Sequence, residues 1–235
     1  MVVVIRLLLI GILTVGSITQ YFSPQKIHLI IIGVVPAIIW LTFFLSEEKR
    51  KNYEPKKTIV WLFIMGMFAA LLAFDIQTAF KEFVFGPLGI EIKSPVGLTI
   101  FAFVEEISKF LLVYIAVRKS KYFDESLDTM LYMITGAMGF AALENVLFII
   151  SSGTTIAEVT IFRFIGALLL HAIASGFMGY YWAKRQILLG VFIAGAMHTI
   201  FNAIVLSNNG VLLAPFFLVF ASFFLFRDFD IIKKS

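Results

Sequence analysis

Apolar residues run along this chain in long unbroken blocks, and a window of about 19 residues picks out eight of them. They cover residues 2–19, 27–45, 58–80, 95–117, 127–151, 158–182, 187–206 and 211–226. Each is near the ~20 apolar residues with which a helix crosses a hydrocarbon core of ~30 Å. Turn residues punctuate the joins: Pro24, Pro55, Gly86-Pro87, Pro95 and Asn209-Gly210. The longest polar interruptions, 46–57 and 81–94, read as loops. The pattern therefore predicts an all-α fold, a polytopic transmembrane helical bundle of about eight spans forming one integral membrane domain over residues 1–235. The first block lacks a basic start and an obvious small-residue cleavage site, so it reads as a retained helix and not as a secretory signal. No internal repeat of 20 to 50 residues is visible.

Composition agrees, because 60% apolar residues, 27 Phe in 235 positions and a mean hydropathy of +0.98 exceed what a soluble domain can hide. Charge adds an orientation. Thirteen Lys and Arg fall in the stretches 49–57, 118–121, 184–185 and 227–234, whereas the alternate connections hold only Lys26, Lys81 and Lys93. Cytoplasmic loops carry the basic excess, so both termini are expected in the cytoplasm. The net charge of +4 is spread over these short clusters, which makes them topology signals and gives no surface for nucleic acid. With no Cys there is no disulfide framework, thiolate nucleophile or thiolate metal site. Chemistry must use carboxylate, imidazole, hydroxyl or amine.

Against this background the ionisable residues inside the blocks stand out, since such groups are expensive at bilayer depth and usually mark a pathway or an active site. The fourth block carries Glu105, Glu106 and Lys109. In a helix Lys109 lies one turn beyond both carboxylates, where one cation can neutralise or bridge the pair. The fifth places Glu144 and Asn145 after Gly136, Gly139, Ala141 and Ala142, small residues that admit a neighbouring helix and turn Glu144 toward protein. Asp128, nearer the cytoplasmic end, reads as structural. Arg163 and His171 in the sixth are eight residues apart, roughly on one face. His198 and Asn202 in the seventh project together at i and i+4. Taken singly, each has a bland reading as a helix-end charge, a snorkelling arginine or a satisfied polar residue.

Depth joins them. At ~1.5 Å per residue, Glu105, His171 and His198 all fall near mid-membrane, with Glu144 somewhat toward the far side. Converging on one cavity, they could hold and deprotonate water, and the Asn202 amide could donate to a developing oxyanion. The site is expected to be hydrolytic, with a catalytic core over about 95–206.

The order of motifs is Glu-Glu-x-x-Lys at 105–109, Gly-Phe-x-x-x-Glu-Asn at 139–145, His171, then His-x-x-x-Asn at 198–202. It resembles the PrsW family of intramembrane proteases, related more distantly to the CAAX-prenyl endopeptidases and bacteriocin-processing enzymes. Phe140-x-x-x-Glu144 fits the PrsW pattern, where the prenyl endopeptidase branch has a His; Asp128, Asn145 and Arg163 also look like PrsW. The resemblance implies a multi-pass endopeptidase of a prokaryotic cell membrane whose substrate is a membrane-anchored protein, such as an anti-sigma factor. By that likeness Glu105 or Glu106 activates water, Glu144, His171 and His198 position it, and Asn202 stabilises the oxyanion, with Lys109, Asn145 and Arg163 in support. No obligatory cofactor is expected. Zinc remains possible, in which case Glu105, Glu144, His171 and His198 could supply a nitrogen and oxygen ligand set. A proton- or metal-coupled transporter would also bury Glu and His at mid-membrane, but no paired halves with matching broken helices are visible.

Overall fold

The computed structural model describes residues 27–46, 55–120, 122–123, 125–152 and 166–233. The predicted first span, the first part of the sixth and Arg163 lie outside the described residues. Among those described there are seven long helices and no strand: α1 (Ile27–Ser46), α2 (Lys56–Phe80), α3 (Pro95–Val117), α4 (Ser126–Ser152), α5 (Leu168–Ala183), α6 (Ile187–Leu206) and α7 (Gly210–Ile232). Four stretches are long and apolar enough to cross a membrane: Lys56–Leu88, Ser126–Ile149, Ile187–Leu206 and Leu212–Ile232. α3 is 23 residues long but carries Glu105, Glu106 and Lys109 in its middle.

Local chemistry sets the boundaries. α3 starts where predicted because Ser94 caps it, its Oγ accepting from Gly97 N at 3.2 Å, and Pro95 occupies the first turn, where its missing N–H is no loss. The stretch 81–94 is only partly the predicted loop. α2 continues through a π-helical turn, Lys81–Phe85, into a short turn, Gly86–Leu88. Phe85 is the cause we identify: it is buried and stacks on Phe101 of α3 at 5.3 Å, which holds the chain helical past Phe80. Gly89, at φ 64°, then ends the helix in the left-handed region that favours glycine. α7 runs past its predicted end at 226 because Phe229 and Ile232 also bury against the core.

Five helices close a ring through neighbouring contacts, in the order α2, α3, α6, α5, α4 and back to α2. α1 packs outside the ring on α4, and α7 on α5 and α6. The closest approach is between α2 and α4. A Cβ on Gly66 would collide with the carbonyl oxygen of Gly136, and one on Gly139 with that of Phe63. Small residues let two backbones meet where lipid supplies no hydrophobic drive of its own. α4 is accordingly deeply enclosed, with Met130, Met133, Ile134, Ala137 and Met138 fully buried. α7 instead exposes Phe216, Phe220 and Phe223 at 74%, 67% and 70%. Such a row is stable only against lipid or another apolar partner.

Candidate active site

Every helix of the ring sends at least one polar side chain into its interior. Consecutive residues on α3 point about 100° apart, so the two adjacent glutamates meet different neighbours. Glu105 turns to α2 and α6. Its Oε1 accepts from Gln77 Nε2 at 2.9 Å, and its Oε2 lies 3.6 Å from His198 Nε2. Glu106 is fully buried, and its Oε1 accepts from Lys109 Nζ at 2.5 Å and from His198 Nδ1 at 2.7 Å. Lys109 was expected to be able to bridge the acidic pair. Within α3 it bonds Glu106, three residues back, while Glu105, four back, turns to Gln77, and it reaches across the ring to His171 Nδ1 at 2.9 Å. The Lys109 ammonium also lies 4.8 Å from the centre of the Phe140 ring, a cation–π contact. His171 Nε2 is 3.0 Å from Glu144 Oε2, and the two imidazoles meet edge-on at 5.0 Å.

These partners fix the neutral tautomers. A lysine ammonium only donates, so His171 Nδ1 accepts and its Nε2–H donates to Glu144. A carboxylate only accepts, so His198 Nδ1–H donates to Glu106, and in the neutral ring Nε2 then carries the lone pair on the side of Glu105. Lys109 and Glu106 are wholly enclosed, a burial that only pairing makes tolerable. Glu105 at 16% and Glu144 at 34% are the more exposed members of the cluster. Glu105 Oε2 is buried and has no hydrogen-bond partner among the described residues. A buried acceptor in that state wants a donor or a cation.

The structure thus brings together Glu105, Glu106, Lys109, Glu144, His171 and His198. Asn202 sits one turn beyond His198, half-buried, with no hydrogen bond to the cluster. Asn145 is buried beside Glu144 on α4. Asp128 is also buried, but its carboxylate accepts from Glu125 N at 2.7 Å at the start of α4, the structural place expected of it. It lies roughly 24 Å along the helix from Glu144, at 1.5 Å per residue. Gln77 was not singled out from the sequence. Its signal was an amide inside an otherwise apolar block, near Asp75, and no spacing rule tied it to α3.

One ligand atom each from Glu105, His171 and His198 lies within 4.8 Å of the others. Two imidazoles and a carboxylate are donor types that zinc accepts, and Glu105 Oε2 has no hydrogen-bond partner among the described residues, but both His171 nitrogens are engaged, Nδ1 by Lys109 and Nε2–H by Glu144, so His171 could ligate only by giving up one of those contacts. Glu144 is linked to the group through His171.

Comparison with known proteins bears on what this cluster serves. The profile of "PrsW family intramembrane metalloprotease" matches residues 54–227. Protease PrsW of Geobacillus kaustophilus (strain HTA426) is 32% identical over 160 residues, 67% of this chain and 67% of that protein. Protease PrsW of Bacillus subtilis (strain 168) is 30% identical over 163 residues, covering 66% and 67%; that of Oceanobacillus iheyensis is 27% identical over 207, covering 83% and 92%. No solved structure matches the chain significantly. The matched stretch contains the whole described cluster, the transporter reading gains nothing from it, and the donor set is compatible with the metal in the family's description. The chain is therefore an integral membrane protease that belongs to the PrsW family.

Proposed function

We propose that the chain is an intramembrane endopeptidase that hydrolyses a peptide bond of a membrane-anchored protein, an anti-sigma-factor-like substrate, using water activated by Glu105 and His198. The observation that carries this is the 3.6 Å separation of Glu105 Oε2 and His198 Nε2, which in the neutral ring bears the lone pair. A water placed there donates one proton to each acceptor. Glu105 takes a proton as the water oxygen attacks the peptide carbonyl, and returns it to the leaving amine as the C–N bond breaks. Asn202, one turn beyond His198, donates to the oxyanion. Glu106 holds His198 in the tautomer that leaves Nε2 open, and Lys109 neutralises Glu106. His171 anchors Glu144 at the exposed side of the cluster, where an extended peptide would enter. We extend support roles to Asn145 and Arg163 on their likeness to the family's motif pattern alone.

A metal-assisted version of the same reaction is favoured by the family's description and by the proximity of three ligand atoms. Glu105, His198 and, once it exchanges its contact with Lys109 or Glu144, His171 would hold zinc, and zinc would supply an acidified water and polarise the carbonyl. We further propose the full topology as about eight spans of a bacterial cell membrane with both termini cytoplasmic, on the basic-residue asymmetry of the connections.

The test is cleavage of a single-span peptide by the purified protein in lipid. Glu105→Gln and His198→Ala are each expected to abolish cleavage while leaving the helical content unchanged. Persistence of cleavage in both variants overturns the assignment.

A further inference from the structure

We propose that Gln77 is a positioning residue that aims Glu105 at His198, an inference that rests on the water-activating role given to Glu105 above. Gln77 belongs to α2, which otherwise contributes apolar and small residues to the ring: Leu62, Gly66, Ala69, Ala70 and Ala73 are its buried positions. Gln77 lies one turn beyond Ala73, so it continues that inward-facing stripe as its polar member. Its Nε2 donates twice, to Glu105 Oε1 at 2.9 Å and to the backbone carbonyl of Phe101 at 3.3 Å.

The amide's orientation follows from those two partners. Both are acceptors, so the amide must present nitrogen to them, because a flipped amide would set oxygen against oxygen twice. Phe101 O and Glu105 Oε1 are separated by one turn of α3. A single amide therefore clips the α3 backbone one turn before Glu105 and the tip of the Glu105 side chain to the same point of α2. One carboxylate oxygen is occupied, and the other, Oε2, is left buried and directed to within 3.6 Å of His198 Nε2. Without the clip, Glu105 would regain rotamer freedom about a flexible side chain, and the spacing between Oε2 and Nε2 would no longer be held.

The interaction is local to α2 and α3, and the remaining cluster does not depend on it. Glu106, Lys109, His171 and Glu144 bond to one another without Gln77. Removing the amide should therefore perturb Glu105 and spare the fold.

Two readouts test this. The first is steady-state cleavage of a single-span peptide by Gln77→Leu and, as a second variant of different shape, Gln77→Met, with Thr78→Val as a control. Among the described residues the Thr78 hydroxyl bonds within its own helix, to Phe74 O at 2.8 Å. Both Gln77 variants are expected to lose roughly 10- to 100-fold in kcat, the usual effect of removing the partner of a site residue. Their KM should stay within about twofold of the parent, since the peptide's ground-state contacts are intact. The second readout needs no turnover. The infrared carboxyl band that vanishes in Glu105→Gln should shift in the Gln77 variants and stay in place in Thr78→Val. An unchanged kcat, a rise in KM that accounts for the loss, or an unmoved Glu105 band overturns the proposal. If Glu105→Gln itself still cleaves, the assignment of Glu105 fails first, and the infrared comparison alone still reports whether Gln77 holds its carboxyl group.

Discussion

Lys109 of α3 and His171 of α5, sixty-two residues apart in sequence, meet with Nζ 2.9 Å from Nδ1 inside a region closed to solvent. The contact does two things at once. It gives the ammonium a second acceptor besides Glu106, and it forces the His171 N–H to the Nε2 side, toward Glu144. A single cation thus orders Glu106 directly and Glu144 through one imidazole, which pair counting within α3 would not reveal.

Lys109→Met is expected to leave Glu106 buried without its cation and to destabilise the protein by about 3–5 kcal/mol, as when one partner of a buried pair is removed. Thermal unfolding in detergent measures it. The double variant Lys109→Met with Glu106→Gln should recover part of the loss, because no uncompensated charge then remains. A single variant as stable as the parent would show that the ion pair is not what makes this burial tolerable.

Glu144 accepts from His171 Nε2–H, and an amide oxygen can accept in its place. Glu144→Gln should therefore retain more cleavage than Glu144→Leu, which leaves the imidazole N–H without its acceptor. A loss of roughly 10- to 100-fold in kcat is expected for the leucine variant. Equal rates for the two variants would contradict the contact's role.

At Gly139 an added methyl group would collide with the Phe63 carbonyl, and rigid backbone cannot step aside as a side chain tip can. Gly139→Ala is expected to destabilise by about 1–3 kcal/mol, the usual range for overpacking. Gly166→Ala is the comparison, since its Cβ would only touch the Phe201 ring at 3.4 Å. Paired melting curves check the difference. Similar midpoints for the two would mean that α2 and α4 are not in contact there.

Removal of metal separates the two versions of the proposed reaction. Extended dialysis against a chelator is expected to leave kcat largely intact, with water held by Glu105 and His198 directly. Metal analysis of the dialysed protein verifies depletion. Loss of cleavage restored by one equivalent of zinc would shift the mechanism to the metal-assisted version, with Glu105, His171 and His198 as the ligands.

Much of this protein is written in the one-dimensional pattern. Apolar block lengths give helices, and a helix closes its own backbone hydrogen bonds, so α3 and α6 begin and end where their blocks do. Glu105, Glu106, Glu144, His171 and His198 were conspicuous for the same reason: an ionisable group in an apolar block is costly wherever the block packs. What the pattern could not hold is who faces whom. Glu105 and Glu106 are equivalent as letters, yet the 100° step between them sends one to Gln77 and the other to Lys109. Gln77 itself, the Lys109 to His171 contact and the helical continuation through Phe85 all depend on side chains from distant helices arriving at one place. Periodicity within a segment determines a helix and its faces. Only the packing of glycine-lined backbones around a closed ring decides which faces meet.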